Sequence, residues 1–337
     1  MVTSHEVARL AGVSQPTVSR ALRDSSKVSE LTKRRVREAA AALGYVPSAT
    51  GRALSMGRSG RLGLLLTDLE NQFYQHVMAP MHEALDEVGY QLVLMTESSE
   101  AGPIADRIVA NGLDGVLLTT TTTDSILPIR LRDRSIPFVY FNRTSAAVDA
   151  DSVTADPLPG VEEMVNELVT LGHREVAGIF GPRNTSTGMS RETCVREQLG
   201  GAGLTIQPGR ALHGPFDFGT GYDGTKELLS AQSRPTAIIC GNDVVALGAL
   251  NAAVELGVTV PGDVSIVGFD DLPTADWALV KLSTIAFDLD KMSREAAQLL
   301  VQRVEGRSDT AYRHIVYPTR FRPRSTLGRA APARQRT

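Results

Sequence analysis

The spacing of apolar positions divides the chain into two kinds of segment. Over the first 45 residues they recur at helical intervals: Val7, Ala8, Leu10 and Ala11, then Val18, Ala21 and Leu22, then Val36, Ala39, Ala40 and Leu43. This pattern predicts three short helices. Thr3 and Glu6 have capping-box spacing at the first, Ser14 can cap the second and Ser29 the third. Gly12 permits the turn between the first two, Pro16 is tolerated in a first turn, and Gly44 stops the third. Residues from Pro47 to about Ser59 read as a linker with a helix-like stretch at Ala53 and Leu54.

From Leu62 the period changes. Short apolar runs, LGLLLT, QLVLMT, GVLLTT, PFVYF, EVAGIF, TAIICG and VSIVGF, alternate with amphipathic stretches such as Met164 to Leu171, Val244 to Leu256 and Met292 to Val304. Strand–helix alternation predicts βαβ units around parallel sheet. The count alone leaves open one large sheet or two smaller ones. The run Thr119 to Thr123 reads as a polar loop at a strand's carboxyl end, where ligands can bind, with a solvated loop as the ordinary reading.

Charge sharpens this division. The 337 residues sum to only -3. Residues 1–61, however, carry 11 Lys/Arg against 4 Asp/Glu, and the segment from Arg320 onward adds six Arg and no acid. The middle is therefore strongly acidic. A basic head on an acidic body points to a head that meets phosphate. Cys194 and Cys240 form no CxxC, so a reducing compartment is expected. The N-terminus has no signal-peptide core and no apolar run reaches membrane-span length, which predicts a cytoplasmic protein.

Catalytic signatures are lacking. There is no Walker-A sequence, HExxH or GxSxG, and His5, His76, His82, His173, His213 and His314 are scattered without metal-ligand spacing. Gly219, Gly221 and Gly224 spell GxGxxG, but GPFDF before them is no apolar strand, so a helix-opening turn is the expected reading. No catalytic residue, metal or cofactor is expected.

The stretch from Gly12 to Arg20 has the form of a helix-turn-helix: an apolar first helix, a glycine turn, and a second helix with short polar residues and an arginine outside. Such a helix fits the major groove, where Gln15 can pair with adenine and Arg20 with guanine or phosphate. EVARLAGVSQPTVSRAL, from Glu6, and VSELTKRRVREAAAALGYVPSATGRAL, from Val28, resemble the LacI-type family of bacterial transcription regulators, and the likeness extends nearly to the C-terminus. The resemblance implies an all-α helix-turn-helix head (1–46), a hinge helix and linker (47–61), and an α/β periplasmic-binding-protein-like core of two Rossmann-like lobes (62–327). The N-lobe would take about 62–157 and 288–319, the C-lobe about 158–287 and 320–327, and 328–337 would be a disordered tail.

It also implies a homodimer, with a tetramer left open, on a pseudo-palindromic double-stranded DNA operator. Gln15, Pro16 and Arg20 would face bases; Thr3, Ser14, Thr17, Ser19, Ser29 and Tyr45 would meet the backbone. Leu54 matches the hinge leucine that wedges into the minor groove. A small-molecule effector would bind between the lobes at Asp68, Phe73, Asn142, Arg191, Phe216, Asn242, Asp270 and Phe287. Departures from the family pattern are Pro16, Gly51, Gln72, Asn142, Cys194, Lys281 and Phe287. The implied function is repression controlled by a sugar or related metabolite. The alternatives are a regulator of the same architecture sensing a nucleobase, or a cytoplasmic solute-binding protein or sugar-modifying enzyme.

Overall fold

A computed structural model describes residues 2–22, 24–45, 58–67, 69, 71–96, 103–307 and 311–331. The chain divides into two compact units, residues 1–60 and 61–337.

In the first unit, helices α1 (Ser4–Ala11), α2 (Gln15–Leu22) and α3 (Glu30–Ala42) enclose a core of small aliphatic side chains, among them Val7, Val18, Ala21, Val36 and Ala40. The caps are local. The Thr3 hydroxyl accepts from the Glu6 amide while the Glu6 carboxylate receives the Thr3 amide at 2.8 Å, and Ser29 accepts from the Thr32 amide. Gly12 turns at φ +61°, and a Cβ there would lie 2.9 Å from the Arg35 guanidinium, which donates at 2.6 Å to the carbonyl of Ala11. Glycine is thus required by conformation, and a Cβ would also displace the tip of Arg35.

The second unit holds two six-stranded sheets. The first runs β11-β5-β4-β3-β1-β2, built from β1 (Arg61–Leu66), β2 (Gln91–Thr96), β3 (Gly115–Leu118), β4 (Phe138–Phe141), β5 (Ser152–Asp156) and β11 (His314–Pro318). All its pairings are parallel. The second runs β12-β10-β9-β8-β6-β7, from β6 (Val176–Phe180), β7 (Ala211–His213), β8 (Ala237–Cys240), β9 (Ser265–Asp270), β10 (Ser283–Ala286) and β12 (Arg320–Arg322). Only β12 is antiparallel, on β10. Strands β5, β7, β10 and β11 were not expected from the periodicity.

Helices α4 (Gln72–Asp86), α5 (Ile104–Ala110), α6 (Leu127–Asp133) and α11 (Leu289–Val304) accompany the first sheet. The second has α7 (Leu158–Thr170), α8 (Ser186–Gly201), α9 (Phe218–Ser230) and α10 (Asp243–Glu255). The chain passes between the lobes after Asp156, after Ala286 and at Thr319, whose hydroxyl donates to the carbonyl of Asp156 and accepts from the amide of Gly160. Buried Asp151 secures the far edge of the first sheet through a two-pronged bond from Arg303 and the amide of Arg313.

Two expectations are corrected. Thr119, Thr120 and Thr121 are buried rather than solvated, and the Thr119 hydroxyl donates to the carbonyl of Leu65. Chain bonding continues past the expected start of the tail: Gly328 offers its carbonyl to buried His173, and the Ala330 amide donates to Leu171. The GxGxxG glycines lie on α9, opened by Asp217 at the Thr220 amide. Their use is close packing, since a Cβ on Gly221 would sit 1.8 Å from the carbonyl oxygen of Val245 on α10. Arg322 and Arg324 both pair with Asp271, so these basic side chains hold the closing strand.

Candidate nucleic-acid face and ligand cleft

Helix α2 buries Val18 and Ala21, which leaves Pro16 and Arg20 exposed and Gln15, Thr17 and Ser19 half-buried. The Gln15 amide reaches the Ser4 hydroxyl at 3.3 Å, and the Ser14 and Thr17 hydroxyls bond at 2.8 Å. Thr3 and Ser29 are exposed at their caps, and Tyr45 lies half-buried against the head core. The basic surplus is divided. Lys33 pairs with Asp24 and Glu30, Arg37 with Asp24, and Arg35 with a carbonyl, so these stabilise the head. The side chains of Arg20, Lys27 and Arg34 have no hydrogen-bond or ion-pair partner among the described residues and are exposed. Leu54 and Asp68 lie outside the described residues.

In a doubly wound sheet, ligands bind at the carboxyl ends of strands, beside the point where strand order reverses. Here that point lies between β1 and β3 in one lobe and between β6 and β8 in the other. The two sets of strand ends face each other and are tied across. The Asn71 amide donates to the carbonyl of Phe216 at 2.8 Å, the Thr123 amide to that of Asn184 at 2.8 Å, and the Thr144 amide to the Ser186 hydroxyl at 2.9 Å.

Between them lies a cavity of about 170 Å³ bordered by Asn142, Thr144, Ser186, Thr187, Ser190, Arg191 and Phe269, among others. A second space of about 20 Å³ adjoins it, sharing Asn142, Thr187 and Arg191 and bounded also by Phe73, Arg143, Phe216, Asn242 and Asp270.

Arg191 anchors the cleft floor. It donates to the carbonyl of Gly241 at 2.8 Å and to Asp270 at 2.7 Å, and its guanidinium lies 3.8 Å from the Phe269 ring centre. It thereby joins the ends of β8 and β9 before any ligand arrives. Burial pushes the Asp270 carboxyl up to about 6, against the pull of Arg191 and Arg143. Asp270 has φ +118° and Asn142 φ +62°, sparsely populated conformations for side-chain-bearing residues. Asn242 caps α10 by accepting from the Val245 amide. Asp243 beneath it is fully buried, receives the Thr284 hydroxyl and the Leu272 amide, and has its pKa raised by desolvation. The Phe216 ring rests on Gly181, where a Cβ would be 2.0 Å away.

Phe73, Asn142, Arg191, Phe216, Asn242 and Asp270 are therefore brought together. Phe287 is not. It lies on the crossover after β10 and borders neither cavity; its ring stands 6.2 Å from Phe269, which it backs. Its position one residue beyond the strand's paired end at Ala286 turns it behind the cleft. Arg143, Ser186, Thr187, Ser190 and Phe269 were missed. The α8 set had a signal, since positions 186, 187, 190 and 191 share one helical face.

Comparison with known proteins agrees with both units. Residues 3–48 match the model of bacterial regulatory proteins of the lacI family, and residues 165–327 match a periplasmic binding protein-like domain. The chain is 31% identical to the HTH-type transcriptional repressor PurR of Pectobacterium carotovorum, over 96% of its own length and 97% of that protein. It is 32% identical to the ribose operon repressor of Escherichia coli, covering 90% and 93%. Among solved structures, the lac repressor dimer bound to operator and the anti-inducer ONPF superimposes with a TM-score of 0.83 at 26% identity, covering 96% of this chain and 98% of that one. The chain belongs to the lacI family of bacterial regulatory proteins and is a DNA-binding transcription regulator, not an enzyme.

Proposed function

We propose that this regulator is a homodimeric repressor of a pseudo-palindromic operator, and that a single-ring sugar or related metabolite controls its affinity from the cleft between the lobes. The observation that carries the effector reading is the cavity at the facing strand ends. It is lined by hydroxyls and amides and floored by the Arg191–Asp270 pair. Hydroxyl and amide groups suit sugar hydroxyls, and the nearby Phe269 and Phe216 rings suit a flat apolar face. Aromatic rings would equally accept a nucleobase, which is the second reading.

Arg20, with Gln15 and Pro16 beside it, is the group we assign to base edges; Thr3, Ser14, Thr17, Ser19, Ser29 and Tyr45 are assigned to the backbone. The dimer is supported by apolar side chains left in water on the C-lobe, with Val254, Trp277 and Leu279 all more than half exposed. A ligand that strengthens the cross-lobe bonds shifts the population of lobe arrangements. It alters operator affinity only through unequal affinity for the two states.

A thermal-shift screen of sugars, sugar derivatives and purines tests this, since a true ligand raises the melting temperature by mass action. A ligand that stabilises the wild type and fails to stabilise Arg191→Ala supports the cleft. Equal stabilisation of both places the ligand elsewhere.

A further inference from the structure

Arg143, the residue after Asn142 at the end of β4, presents a charge imbalance among the described residues of the cleft. Its guanidinium lies 5.6 Å from the centre of the Phe216 ring, with Arg191 on the same ring at 5.8 Å. Two cations therefore flank one aromatic. Asp270 is the single carboxylate among the described residues that border either cavity, and its bond goes to Arg191. The Arg143 guanidinium has no hydrogen-bond or ion-pair partner among the described residues. Desolvation holds its pKa below the ordinary guanidinium value, so the environment is one in which a bare cation is costly.

A second unpaired group lies alongside. The Thr187 hydroxyl borders both cavities and is buried without a hydrogen-bond partner. Buried polar groups without partners are rare, and this one faces cavities from which a ligand could supply the missing partner.

Building on the effector-cleft reading, we infer that the effector is an anionic monosaccharide, a sugar acid or sugar phosphate, whose anionic group is received by Arg143 and whose hydroxyls meet Asn142, Thr187 and Ser190. The guanidinium fork matches two oxygens of a carboxylate or phosphate. An anion there offsets the positive charge that Arg143 and Arg191 leave uncancelled by Asp270 among the described residues, which a neutral sugar does not do. The size of the cavity, about 170 Å³, suits a single sugar ring.

The test uses the full chain and matched sets of probes: glucose, glucuronate and glucose 6-phosphate; galactose and galacturonate; ribose and ribose 5-phosphate; with hypoxanthine as a neutral nucleobase. Calorimetry should show at least one anion binding at least about tenfold tighter than its neutral parent, as charge-assisted bonds allow. Its identity separates carboxylate from phosphate. The advantage should shrink as sodium chloride is raised. Arg143→Gln should abolish it and Arg143→Lys retain part of it, both at an unliganded melting temperature that shows the variants are folded.

A neutral sugar or hypoxanthine binding as tightly as every anion, no anion binding at millimolar concentration, or an anion indifferent to Arg143→Gln would each overturn the inference. The cleft reading is separated by Arg191→Ala. A neutral ligand sensitive to that change leaves the cleft in place and removes only the anion. A ligand indifferent to both changes removes the cleft as well.

Discussion

The head and the cleft handle polar groups in opposite ways. On α2 of the head, Arg20 and Pro16 stand in water on a small aliphatic core, and Lys27 and Arg34 carry charges without partners among the described residues. In the cleft, Arg191, Asp270 and Asn242 are buried and bonded to the chain before any ligand enters. A surface that meets DNA keeps its cations hydrated and exchanges that water and counterions on contact. A pocket that selects a small molecule keeps its groups fixed and already desolvated, so that only a matching ligand completes them. Arg143 and the Thr187 hydroxyl are the unfinished parts of that otherwise finished site.

The largest expected difference lies in Arg191. Arg191→Ala leaves Asp270 buried without its cation, and losing one partner of a buried pair costs about 3–5 kcal/mol. Denaturant titration of the core should show a clear drop in midpoint. A loss no larger than that of an exposed arginine would erase the contrast between the two regions.

Next comes pH. The Asp270 carboxyl titrates near 6 when folded and near 4 when unfolded. The folded state therefore holds its proton to higher pH, and this residue's contribution to stability falls as pH rises through that window and is level above it. The stability difference between wild type and Asp270→Asn should change by up to about 3 kcal/mol between those pH values. A difference that stays constant with pH would mean that the carboxyl is not held in the uncharged form.

At the head the effects are smaller and appear in affinity. Arg20→Ala should weaken operator binding by about 1–3 kcal/mol and relax preference at one base pair, measured by anisotropy on a selected operator. Unchanged affinity would remove Arg20 from the interface. Thr3→Ala, which breaks the capping box, should lower head stability by about 1 kcal/mol with little change in the core's own melting. A comparable shift in the core would show that the units do not unfold separately.

The head was the more legible region because its signals are local. Caps at Thr3 and Ser29, the Gly12 turn and helical spacing all act within a few residues. The long apolar strands β1, β2 and β6 were legible for the same reason. Strands β5, β7, β10 and β11 read SVTAD, ALH, STIA and HIVYP, too short or too mixed to declare themselves. They are strands because a neighbouring strand pairs with them, which periodicity does not encode.

The cleft divides likewise. Arg191 and Asp270 stand out within family-like motifs, whereas the pairing between them joins residues 79 positions apart. Phe287 and Arg143 show the limit. Each sits beside a strand end, and only the three-dimensional turn decides which enters the cavity. The polar run Thr119 to Thr121 reads as solvated from the sequence because nothing local reveals its burial.

The central claim is that a ligand in the cleft sets the affinity of the head for DNA. Its most direct test is an anisotropy titration of a selected operator with wild type and Arg191→Ala, with and without the ligand found by thermal shift. The account predicts that the ligand changes wild-type operator affinity by about fivefold or more, the usual scale of such coupling, and leaves the affinity of Arg191→Ala where it was. An equal change in both proteins would contradict it.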